Sequence, residues 1–169
     1  DTNTANAMLA ASLLVHGAGL GLFQVAGLDI VSATLPRANR GVAGSLALVL
    51  VLDQFPLNMY RGTAEAFSTE GDALRVTRSA VNRRFDAALN DPQKAFLYMP
   101  LMHSEDLADQ DESVRLYRAA GLVDNLRFAG HHRELVRRFG RFPHRNAILG
   151  RVSTPEELAY LDSKEAFTG

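Results

Sequence analysis

Apolar and polar positions recur along most of this chain with a helical period. Asn39 can cap a helix, and the run after it carries Leu46, Leu48, Val49, Leu50, Val51 and Leu52. A run that is apolar on every side belongs inside a bundle or packed on two sides. A buried strand is the competing reading. The run continues into Asp53-Gln54-Phe55 and meets Pro56, which predicts a helix to about Phe55 that stops before the proline. Thr69 with Asp72 three residues on predicts a capping box and a helix to about Arg84. Asp91-Pro92 reads as N-cap and first residue of a helix that Pro100 kinks or ends. Ser104 is expected to cap the next helix, with Glu105 and Asp106 in its first turn and Gly121 just past its end. Asp124 opens a helix with the stripe Phe128, His132, Leu135, Phe139, which Gly140 closes. Thr154-Pro155-Glu156-Glu157 supplies a cap, a proline and a third-position carboxylate for a last helix carrying Leu158 and Leu161.

No run alternates convincingly with period two, and no repeat of helical-array length is visible. The expectation is an all-α fold, one bundle of about six to seven helices spanning residues 1–169 as a single domain. Gly140 to Ser153 is long for a connector and is a candidate functional loop.

The first 38 residues differ. Met8 to Val31 is apolar enough to raise a membrane span. His16, Gln24 and Asp29 interrupt it, Gly17, Gly19, Gly21 and Gly27 weaken a continuous helix, and no basic stretch precedes it as a secretory signal requires. A buried helix with a glycine-rich turn is expected, and a homodimer seam is one use for it.

Composition narrows the chemistry. Hydrophobic residues at 47% suffice for a core, and 18 basic against 19 acidic side chains give a net charge of -1. No overall field therefore draws nucleic acid or an anionic membrane, and neither is an expected partner. There is no cysteine, which excludes disulfides, thiolate metal sites and a cysteine nucleophile and fits a cytoplasmic domain. No phosphate-binding glycine loop or nucleophile elbow is present; Gly17-Ala-Gly-Leu-Gly has no strand before it. The cofactor, if there is one, is left open by these motifs.

Chemistry-bearing residues gather in strings at helix ends: LDQFPLNMYRGT (residues 52–63), FLYMPLMHSEDLADQ (96–110) and FGRFPHRNAILGR (139–151), with STPEELAYL (153–161) behind them. On these strings the chain resembles the bacterial family catalogued as domain of unknown function 924, from about Asn39 onward. The resemblance implies an all-helical fold related to the tetratricopeptide-like superfamily, and brings no established activity. Family members usually carry a charged helix and tryptophans before the aspartate–glutamine string. This chain has no Trp, and residues 1–38 are apolar and glycine-rich.

Two readings of the strings stand. His103 beside Glu105 and Asp106 suits a general base with an orienting acid, although capping accounts for the same residue types. Adjacent His131 and His132 point about 100° apart on a helix and cannot form an i, i+4 zinc pair. A metal needs His103, His132 or His144 to meet Glu105 or Asp106, and no local spacing supports one, so no metal ligand is assigned. Residues 124–151 hold seven arginines against two acids, and residues 103–112 hold five acids and no Lys or Arg. Either Arg141 or Arg145 pairs with Glu105, Asp106 or Asp53 to pin the loop, or the arginine surplus clamps a small carboxylate or phosphate. The expected function is a polar small-molecule or anion site of hydrolase type. Its catalytic residues would be His103, Glu105, Asp106 and His144, and its ligand-binding residues Asp53, Arg61, Arg141, Arg145 and Asn146. A helical protein–protein interaction module without catalysis is the alternative.

Overall fold

The computed structural model describes residues 40–167, and every described element is helical. Helix α1 (Arg40–Val49) widens into a π-helical turn (Leu50–Gln54) and continues as α2 (Phe55–Met59). Helices α3 (Glu70–Asn82), α4 (Asp91–His103), α5 (Leu107–Ala119) and α6 (Val123–Phe139) follow, and α7 (Pro155–Leu161) ends the bundle. Short 3-10 turns lie at Ala64–Phe67, Phe85–Ala88 and Pro143–Arg145. The Asn39 cap, the glycine-rich turn, the Met8–Val31 span and the dimer seam fall outside the described residues.

Pro56 does not end the first helix. In a straight α-helix the Leu52 carbonyl would accept from the N–H of residue 56, which proline lacks. The π turn absorbs the mismatch, and the Thr69 hydroxyl donates to Leu52 O at 2.6 Å instead. Thr69 is thereby committed across the fold, and the capping box expected with Asp72 is absent. Pro100 likewise sits inside α4, which runs on to His103. Side-chain hydroxyls bond the carbonyls on either side of Phe96, whose proline partner has no N–H: Tyr117 Oη to Ala95 O at 2.9 Å and Thr77 Oγ1 to Leu97 O at 3.0 Å.

Two caps shift from their expected positions. Asn90, not Asp91, caps α4 and shares a capping box with Gln93. Asp106, not Ser104, caps α5, its side chain accepting from the Ala108 N–H at 2.7 Å. Gly121 and Gly140, at φ +70°, follow α5 and α6 in the left-handed conformation that glycine adopts without steric cost. The Thr154/Glu157 box on α7 is present in both halves.

Helix α4 is central and touches α1, α3, α5 and α6. The main core joins Leu46, Val49, Ala80, Leu97, Leu101 and Tyr117. Burying each of its large side chains contributes roughly 1.5–3 kcal/mol. A second cluster of Leu135, Val136, Phe142 and Tyr160 fastens the 140–153 loop and α7 to the end of α6. The continuous helix Gly41–Met59 is long and apolar enough by composition to cross a membrane; it packs on α3 and α4, and 28% of its most apolar stretch is buried.

Candidate functional site

The helical repeat that sends Leu46 and Val49 into the core also carries Asp53 there, at 3% exposure. A buried carboxylate needs partners. His103, the last residue of α4, supplies one: its Nδ1 lies 2.8 Å from Asp53 Oδ1. Gln54 Nε2 donates to Asp53 Oδ2. An ionised carboxylate only accepts, so Nδ1 of His103 carries the proton. In the neutral ring Nε2 then keeps its lone pair, and Nε2 has no protein partner among the described residues.

Arg145 closes the other side. Its guanidinium lies 4.5 Å from the Phe67 ring centroid and 4.6 Å from that of Phe142. Nη1 donates to Glu70 at 3.1 and 3.3 Å, and Nη2 to the His103 carbonyl at 2.9 Å. Burial pushes the Glu70 carboxyl above its usual range, and Arg145 opposes that rise. Asp53, Glu70, His103 and Arg145 line a cavity of about 10 Å³, closed by Leu52, Leu57, Ala66 and Phe67. That is room for about one water molecule.

The rest of the third string is bound into ion pairs. Arg151 meets Glu105 in bidentate fashion at 2.6 and 2.9 Å, and the Phe142 N–H donates to the same carboxylate at 2.8 Å. Burial pushes the Glu105 carboxyl up, but these hydrogen bonds outweigh it and hold it below the usual range. Arg141 grips Glu157 at 2.7 and 2.8 Å and reaches the Val152 carbonyl. The Arg141 hydrogen bonds hold the Glu157 carboxyl down at about 2. His144 lies among Phe142 and Phe167 rings, and burial together with neighbouring Arg145 lowers it to about 4. His132 is a core histidine whose Nδ1 lies 2.8 Å from the Phe128 carbonyl; burial lowers it to about 4 as well.

With this geometry in view, the family model described as bacterial protein of unknown function (DUF924) matches residues 23–165. The chain belongs to the DUF924 family. The solved structure of ATU0120, a protein of unknown function from Agrobacterium tumefaciens, is 42% identical. It aligns with a TM-score of 0.70 over 80% of this chain and 72% of that one. No curated protein matches.

In this DUF924 chain, Asp53, His103 and Arg145 come together, one from each string. The other residues singled out from the sequence lie elsewhere. Asp106 is an exposed helix cap, and Arg61 is exposed with no ion pair among the described residues. Glu105 and Arg141 pin the loop through Arg151 and Glu157, so the expected pairing of Arg141 or Arg145 with Glu105, Asp106 or Asp53 is replaced by these pairs and by Arg145–Glu70. Asn146 donates to Ser153 Oγ at 3.0 Å. Among the described residues no three His, Asp or Glu side chains are grouped to hold a metal. Sequence reasoning missed Glu70 and Phe67. Glu70 reads locally as a first-turn carboxylate favoured by the helix dipole, and nothing nearby in sequence points to an arginine 75 residues away.

Proposed function

We propose that this chain is an enzyme of hydrolase type in which His103 acts as general base on a water and Asp53 orients it. The observation that supports this is the 2.8 Å Asp53–His103 contact, which leaves Nε2 without a protein partner among the described residues in a residue that lines a cavity of water size. Such pairing fixes the tautomer and the orientation of the ring. The π turn that presents Asp53 fits this reading, since such turns are frequent at functional sites. Arg145 has two of its nitrogens committed to protein acceptors, so it scaffolds the site instead of clamping an anion. Its Nε is buried without a partner.

The test is hydrolysis of a panel of chromogenic carboxylic esters, phosphoesters and amides. The expected result is turnover of one class that falls by about 10²–10⁴-fold in His103→Gln. Gln can still donate to Asp53, so the fold is expected to survive. Activity retained in His103→Gln, or no turnover of any class by the parent chain, overturns the proposal. A second reading is a helical interaction module. It draws on the tetratricopeptide-like relation that the strings imply and on the partly exposed Leu48 and Val51 of the first helix. Concentration-dependent association abolished by Val51→Asp would favour it.

A further inference from the structure

Away from the Asp53–His103 centre, α3, α4, α5 and the 3-10 turn at Phe85–Ala88 enclose an open groove of about 300 Å³. Its lining is mostly polar and includes the apolar residues Val81, Ala87, Leu116, Ala119 and Ala120. Its walls carry Arg84, Lys94 and Arg115 against a single acid, Asp86. The cations differ in how they are engaged. Arg115 is held by Glu112 through two hydrogen bonds of 2.7 and 2.6 Å. Arg84 and Lys94 have no carboxylate within 4 Å among the described residues. Asp86 accepts from the Tyr98 hydroxyl at 2.8 Å, which ties it to the wall. Arg84 is also the one described non-glycine residue at positive φ, +58°. A long side chain there carries a steric cost that glycine would avoid.

We propose that this groove is a second binding site, for a soluble phosphate monoester with a small apolar body. Two unengaged cations of different geometry, a guanidinium fork and an ammonium, face one cavity. A phosphate offers three terminal oxygens, enough to meet both at once. A carboxylate carries one charge, whereas a phosphate monoester carries about 1.5–2 at pH 7 and so answers two cations more fully. The small apolar body would meet Val81 and Ala119 of the lining, and the volume is that of a small-molecule site.

Calorimetry with phenyl phosphate, inorganic phosphate and benzoate tests this. Phenyl phosphate is expected to bind, inorganic phosphate more weakly, and benzoate at least tenfold more weakly. Arg84→Gly and Lys94→Ala each weaken phenyl phosphate binding at least tenfold, and Arg84→Gly does so without lowering Tm, because glycine suits that backbone. His103→Gln leaves the affinity unchanged, so failure here is distinct from failure of the hydrolytic reading. No binding of phenyl phosphate overturns the proposal. So does benzoate binding equally well, or an affinity that responds to His103→Gln and not to Arg84→Gly.

Discussion

Replacing Arg145 with alanine should destabilise the chain more than any exposed substitution, and the loss should depend on pH. The side chain is 6% exposed, stacks on two aromatic rings, and is the counter-ion of Glu70. Its removal leaves Glu70 without a cation and the His103 carbonyl without a donor. Breaking a buried pair by removing one partner costs about 3–5 kcal/mol. Glu70 keeps 24% exposure, which favours the low end, about 3 kcal/mol. For a chain of this size that is a fall in Tm of about 6–12 °C.

The pH dependence follows from Glu70. Its carboxyl already lies above the usual range through burial, against the pull of Arg145. Without Arg145 it rises further. A raised folded-state value contributes stability that is present below the unfolded value and lost as pH rises through the folded one. The deficit of Arg145→Ala should therefore be larger at pH 7 than at pH 4.5. Glu70→Gln should restore part of the loss in Arg145→Ala, because it removes the buried charge left without a partner. Urea denaturation of the four chains at both pH values reads all of this. A loss below about 1 kcal/mol, or two substitutions additive within about 0.5 kcal/mol, would refute the argument.

The lowered histidines predict a second pH effect. His132 is neutral in the fold down to about 4, while the unfolded chain takes up its proton near 6.5. Stability should fall as pH drops from 6.5 to 4, by an amount approaching 3 kcal/mol for His132 alone. A profile from pH 6.5 to 5 no steeper in the parent than in His132→Gln would contradict it. Thr69→Val removes the hydroxyl that satisfies Leu52 O and should cost about 1–3 kcal/mol, read by thermal unfolding; a neutral result would mean that water replaces it. Glu157→Gln weakens the clamp on Arg141 and should speed limited proteolysis within residues 141–153, with unchanged cleavage counting against a structural role for the pair.

Helix positions are legible in the sequence because their signals are local. The Thr154/Glu157 box, the stop at Gly140 and the core-facing His132 each depend on neighbours within about one turn. Local signals fail where a distant side chain competes for the same group. Thr69 resembles a cap, yet its hydroxyl serves a carbonyl 17 residues back. Pro56 resembles a stop, yet the helix passes it because that hydroxyl and a π turn absorb the missing donor. Asp53, His103 and Arg145 stand out individually as polar residues at helix ends. Their meeting, and the presence of Glu70 beside them, is decided by tertiary packing. Ion pairing acts across space with no fixed sequence separation, so an excess of arginine near a run of acids shows that pairs will form and leaves the partners to the fold.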